Sequence, residues 1–573
     1  MDPAILTPPL SASGSDIENQ FSFDRTQLND DFTAACPSST LRYERKMGDT
    51  ELSYFLPSRQ TGVNDMYLHL GFKAHERITK RLRVCTVWAI LRLRHPLLCG
   101  RAEMHDYDDV RFVYDAPSSA ADAYLDADAN LEYRMQNKDE LIDTYLNGAR
   151  TLSNTRLSYL ILSEPLSSPE LMPTPPRTPS PTSAPLELHT VPEAEDPGAE
   201  SDRQHQYELL ICAMHFLGDG MALHQFANDF FGLLGGEKSD DELREMLHEE
   251  WRVRWGDVAE EPVLPSALED NMPMSASPFR RVAAKVDFEL SQQKLLGGQT
   301  FPRRKHPERL TIVPTVSFPE DRTKAILKKC KTHGVSISAA LFAMCNVAWA
   351  RLGAGNREMP TLMYSALNLR PYFTKGPSSS MWNSYWYLAI GYFNVILPSF
   401  LPSDAASQEA TFWLRARQAK EQSTRAAKNP LVASRTQEMA KERGERARAW
   451  AKEDDERENG TYVPPAPAAA PASDGVAKEP VLPARAKAPS AALIGLSLLG
   501  NLDGIYKHAT FPAVKLHTLT TGSRQRNGAM LLFGYTFAGK LWISLGYDSN
   551  GFAGDVVDRF WKEALDCVDE FLG

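Results

Sequence analysis

Cysteine is scarce in this chain: seven in 573 residues, with no CxxC pair and no paired spacing. Most sit inside apolar runs (Cys85, Cys212, Cys345), which predicts reduced thiols in a reducing compartment and no disulfide framework. No apolar run is long enough to span a bilayer, and the first residues lack the charged and apolar regions of a leader. The expectation is a cytoplasmic chain without a transmembrane segment. Positive charge is also in deficit, with 63 Lys and Arg against 73 Asp and Glu and a net charge of −10. Nucleic-acid and anionic-membrane binding need a basic surface, and no basic stripe with interleaved aromatics occurs here. A covalent nucleophile has no obvious seat: Gly495-Leu-Ser-Leu-Leu-Gly500 misses the nucleophile-elbow pattern by one position. A metal site from His215, Asp219 and His224 lacks the histidine pair at i and i+4 that a zincin requires, so no metal is expected. Internal sequence repeats are absent too.

What the chain does have is a conspicuous turn. Tyr207 to Met214 is apolar enough for a buried strand. Leu223, Phe226, Phe230 and Leu234 then recur at helical spacing until Gly235-Gly236 ends the helix. Between them stands His215-Phe-Leu-Gly-Asp219-Gly220, a histidine and an acid four positions apart at a strand-to-helix junction, where a scaffold fixes a side chain yet leaves it reachable. Histidine is the side chain whose ordinary pKa suits a base near neutrality. His215 is therefore the candidate base, weighed against a hydrogen-bonded histidine packed at a strand end. Asp219 has two readings from the residues alone: orienting the imidazole as in a hydrolase triad, or capping the helix that follows. Gly220 serves backbone geometry or close packing.

The spacing resembles the HxxxDG signature of the chloramphenicol-acetyltransferase-like superfamily, which includes BAHD acyltransferases, fungal alcohol and trichothecene acetyltransferases, and peptide-synthetase condensation domains. Other stretches are similar to that superfamily, in its order. Asp65 to Gly71 leads into a helix over Arg81–Leu91 and an exit at His95-Pro-Leu-Leu98. Gly334 to Leu341 looks like the helix opening the second half. Leu367-Asn-Leu-Arg370-Pro371 and Gly391-Tyr-Phe-Asn394-Val-Ile-Leu-Pro398 resemble its paired strands, and Gly539 to Asp548 with a closing helix resembles its end.

The resemblance implies an α/β fold of two lobes, each a mixed sheet backed by helices, with an active-site tunnel between them and His215 at its middle. It implies an acyl-CoA-dependent O-acyltransferase in which His215 is the general base and no covalent intermediate forms. The acceptor would be a hydroxyl of a small specialised metabolite or glycolipid. Asp219 would pair with Arg370 and so shape the turn. Acyl-CoA is a co-substrate here, no cofactor is bound, and the chain is expected to be monomeric. Two rivals stand beside this reading. One is a condensation-like enzyme fed by a carrier protein, against which Met214 occupies the place of that family's additional histidine. The other is a metabolite-binding protein without catalysis. The BAHD motif DFGWG is absent where Ser497 to Asp503 lies, which points to a fungal-type or condensation-like branch. Pocket candidates are Asn394, Ser497 and, from the aromatic run Met381–Tyr387, Trp382 and Trp386; for that run ordinary packing is the other reading.

Composition divides the chain further. Residues 1–38 are polar and read as disordered. A first lobe over 39–259 carries a Pro-rich disordered insertion at 164–206, and 260–309 is a crossover. A second lobe over 310–573 holds a low-complexity insertion at 447–490. The charged, helix-like stretch from Ala416 to Glu456 reads as a solvated face.

Overall fold

Tyr67, His69, Gly71 and Lys73 alternate with Leu68, Leu70, Phe72 and Ala74, and this segment forms the strand Met66–His75, second in a five-stranded sheet. The computed structural model describes residues 41–165, 204–256, 263–273, 277–374, 383–464 and 490–573. The order across the five-stranded sheet is Val514–Ser523, Met66–His75, Gln204–Ala213, Ser158–Ser163 and Leu131–Arg134. Its last pair is parallel and the others antiparallel. Helices Arg81–Arg94 and Gly220–Leu234 pack here, placing Val84, Trp88, Leu91, Phe226 and Phe230 in the core of this lobe. A small sheet of Arg42–Lys46, Val110–Asp115 and Arg101–Met104 extends it.

The second lobe is built on a seven-stranded mixed sheet. Ile390–Leu397, Thr361–Asn368, Ile494–Asn501, Met530–Phe537 and Lys540–Asp548 lie side by side, with Thr311–Ile312 and Thr315–Phe318 both pairing with Lys540–Asp548. Helices Ile337–Leu352, Ala405–Ala427 and Val556–Phe571 supply a separate core of Phe342, Trp349, Phe412, Phe560 and Phe571. Ser336 caps the first of these and Asp404 the second, each accepting backbone N–H bonds from the first turn.

The chain does not divide where composition suggests. Val514–Ser523 lies late in the sequence but pairs along its whole length with Met66–His75, so residues 310–573 contribute a strand to the first lobe's sheet. The crossover at 260–309 contains the helix Pro278–Gln293, tied to Val432–Glu458 by the Asp287–Arg435 ion pair. Residues 447–458, expected in a low-complexity insertion, are the last turns of that 27-residue helix, and Ala447 and Ala451 are buried in the first lobe's core. Likewise 204–206 belong to a strand, not to an insertion. Most of both expected insertions, 166–203 and 465–489, and the N-terminal 1–38 lie outside the described residues. Among the described residues no single helix is long and apolar enough to cross a membrane.

Candidate active site

His215 opens a single helical turn, His215–Leu217, at the end of the strand Gln204–Ala213. Its Nδ1 lies 3.1 Å from the carbonyl oxygen of Gly218. A carbonyl can only accept, so Nδ1 carries the proton and the lone pair of the neutral ring sits on Nε2. Burial lowers the pKa of His215 below the ordinary histidine value, while its backbone hydrogen bonds and the charge of Asp219 act against burial. The ring of Tyr54, from helix Asp49–Ser58, stacks on the imidazole with centroids 4.3 Å apart.

Asp219 turns away from the imidazole. Its Oδ1 accepts the N–H groups of Met221 and Ala222 at 3.1 and 3.2 Å, capping the helix Gly220–Leu234. Both carboxylate oxygens also take Nη1 of Arg370, at 3.1 and 2.9 Å, and Oδ2 accepts the N–H of Ala389 at 3.0 Å. Arg370 spends its other terminal nitrogen on the carbonyls of Tyr385 and Tyr387. One carboxylate thus joins the turn after His215 to the second lobe, and the imidazole takes its orientation from Gly218. Two glycines let the lobes close on this turn. A Cβ at Gly218 would stand 2.9 Å from the ring of Trp386, and one at Gly220 would meet Leu499 at 3.2 Å. Leu499 is the extra residue of a bulge in Ile494–Asn501, made possible by Gly500 at φ +74°, and the bulge aims it across the gap at Gly220.

A cavity of about 1590 Å³ runs between the lobes and is lined by His215, Tyr54, Arg370 and Met221. Asn394 and Ser497 stand in its wall, on strands Ile390–Leu397 and Ile494–Asn501. Trp386 does not. It is fully buried behind the turn, edge-on to Phe226 and against Gly218, so of its two readings, pocket wall and ordinary packing, the structure shows packing. Trp382 lies outside the described residues. His224 faces away from His215 into the lobe, bonded to the Tyr506 hydroxyl at 2.9 Å, and burial pushes its pKa down to about 3. Asp503, near the place of the absent DFGWG, accepts the N–H groups of Ala538 and Gly539 and so holds a hairpin turn.

Two contributors escaped the sequence reading. Tyr54 is one. The other is the helix Val432–Glu458, which brings Met439, Glu442, Arg443, Arg446 and Trp450 into the cavity wall. Its signal was a run of small residues, Ala440, Gly444, Ala447 and Ala451, at helical spacing amid the charges.

No family model matches the chain, and no curated protein matches it in sequence. Solved structures do match. The trichothecene 15-O-acetyltransferase TRI3 from Fusarium sporotrichioides superposes with a TM-score of 0.66 at 11% identity, covering 95% of this chain and 97% of that one. The EpoB peptide-synthetase cyclization-docking bidomain from Sorangium cellulosum gives 0.51 at 10% identity, covering 100% and 95%. The epimerization domain from the third module of tyrocidine synthetase B gives 0.51 at 12% identity, covering 94% and 99%. At such identities the likeness speaks for architecture, and the architecture of this chain is the two-lobed, chloramphenicol-acetyltransferase-like fold.

Proposed function

We propose that the protein transfers an acyl group from acyl-coenzyme A to a hydroxyl of a small metabolite, with His215 as general base. The observation that carries this reading is the imidazole itself. With Nδ1 bonded to Gly218, Nε2 keeps its lone pair at the wall of a cavity large enough for two substrates. Burial lowers the pKa of the ring and so favours the neutral form, the one that can accept a proton. In the proposed step Nε2 takes the acceptor's proton as the acceptor oxygen bonds to the thioester carbon. The carbon–sulfur bond then breaks, and the proton passes from Nε2 to the departing sulfur, giving the acyl ester and free coenzyme A. No enzyme nucleophile enters the balance. Asp219 and Arg370 act on this chemistry only by holding the turn. The similarity to an O-acetyltransferase over nearly the whole of both chains supports oxygen as the acceptor atom.

The test is to incubate the purified protein with mixed acyl-CoAs and a metabolite extract and to follow free thiol release and acyl mass shifts. Acylated products that vanish in a folded His215→Ala protein support the reading. Unchanged products in that variant overturn it. Faster turnover with an acylated carrier protein than with the matching acyl-CoA would replace the donor.

A further inference from the structure

The small-residue stripe of Val432–Glu458 lets it lie very close to the helix Asp49–Ser58: a Cβ on Gly444 would stand 2.9 Å from Cβ of Asp49. That approach delivers the neighbouring residue, Arg443, into the cavity. Its guanidinium carbon lies 5.4 Å from the ring centre of Tyr54 and 4.5 Å from that of Tyr392. The two phenol hydroxyls bond to each other, and Tyr54 is the ring stacked on His215. Two other arginines of the same helix are matched by acids, Arg446 by Glu442 and Arg448 by Asp49 and Asp108. Among the described residues no carboxylate pairs with Arg443.

A half-buried cation without a carboxylate partner is unfavourable, and the rings and hydroxyls of Tyr54 and Tyr392 offset only part of its lost hydration. Two tyrosines do, however, hold the guanidinium plane in place, which preorganises its fork for a planar, two-oxygen anion. Building on the acyl-transfer reading, we propose that Arg443 binds a carboxylate carried by one of the two substrates close to the reacting carbonyl. The phosphates of coenzyme A are set far from the thioester by the pantetheine arm, whereas Arg443 is separated from the imidazole by a single ring. The carboxylate therefore belongs either to the acceptor, as a hydroxy acid, or to the far end of a dicarboxylic acyl chain.

Two arms separate these sources, each read by coenzyme A release and by calorimetric binding to the full chain. The donor arm compares malonyl-CoA with acetyl-CoA. The acceptor arm compares a panel of hydroxy acids with their methyl esters, using acetyl-CoA. In one arm the carboxylate member is expected to be favoured ten- to a hundredfold, the scale of a hydrogen bond to a charged group. Arg443→Met should collapse that ratio, and Arg443→Lys should retain part of it, both with melting curves confirming the fold. A ratio near one in both arms of the wild type, or a preference that survives Arg443→Met, overturns the proposal. The underlying reading fails separately, by coenzyme A release that is undiminished in His215→Ala or absent with every substrate pair. The binding ratios still decide the role of Arg443 in either case.

Discussion

Two of the arginines that reach the cavity from the second half of the chain, Arg370 and Arg443, differ in what they have to bind. Arg370 lies over the ring of Tyr387 at 4.9 Å, much as Arg443 lies over Tyr392 at 4.5 Å. Arg370, however, also has the carboxylate of Asp219 and two backbone carbonyls. Its hydrogen-bonding capacity is directed into the protein, and its work is to fix the turn that carries His215. Arg443 has the rings and hydroxyls of Tyr54 and Tyr392 and, among the described residues, no acid. The same side chain thus serves as a structural tie where its charge is matched, and as a candidate for ligand recognition where it is not.

The contrast is tested most severely at the matched pair. Removing one member of a buried ion pair leaves the other charge uncompensated, so Asp219→Ala and Arg370→Ala should each cost about 3 to 5 kcal/mol of stability. The double variant should be much less unstable than the sum of the two, because one contact is lost in all three proteins. Arg443→Met should cost only about 1 to 2 kcal/mol, the worth of its aromatic contacts. Urea denaturation of the four variants and the wild type measures all of this. Additive losses at 219 and 370, or a loss at 443 as large as at 370, would erase the distinction between the two arginines.

The next effect is on turnover. His215→Ala should keep the fold and lower kcat by about a hundredfold or more, the usual scale of general-base catalysis. A folded variant with near-normal kcat would leave the turn without the role that Arg370 is positioned to support.

A smaller effect is expected where Arg443 is delivered. Gly444 sits against Asp49 so tightly that a branched side chain must push the two helices apart. Overpacking of this kind costs about 1 to 3 kcal/mol. Gly444→Val should lower the melting temperature and, by moving Arg443 off Tyr54 and Tyr392, raise KM more than it lowers kcat. A variant as stable as the wild type would show that the close approach does not position the arginine.

The same contrast explains which parts of the site were legible in the sequence. The turn His215–Gly220 announces itself because a strand period stops, a helix period starts, and the residues between are chemically distinctive. The two mixed sheets backed by helices follow from motifs in a familiar order. The helix Val432–Glu458 hides because its buried face is alanine and glycine. Small residues add little apolar signal, and the arginines and glutamates around them outweigh it. Trp386 leaves two readings open for the opposite reason: a large aromatic near a site suits a pocket wall or a core, and the Gly218 contact decides for the core. The pairing of Val514–Ser523 with Met66–His75 was not legible either, since alternation marks a strand but does not name its neighbour.

The smallest expected effect has opposite signs at the two ends of the comparison. Burial is the main cause of the low His215 pKa, and nearby charges adjust it: Asp219 raises it and Arg443 lowers it. The acid limb of kcat/KM should therefore fall below the ordinary histidine value in the wild type. Asp219→Asn keeps the shape of the cap but removes a negative charge that favours the protonated ring, so the limb should move to lower pH. Arg443→Met removes a positive charge that opposes protonation, and its limb should move to higher pH. Neither substitution changes the burial of the ring, so both displacements should be small and salt-sensitive. A pH–rate series on the three proteins checks the signs. A large displacement in Asp219→Asn would mean that its carboxylate acts on the imidazole directly, as in a triad, despite being spent on Arg370. Equal displacements in the same direction would mean that neither charge reaches the ring, and that the two arginines differ only in what they hold.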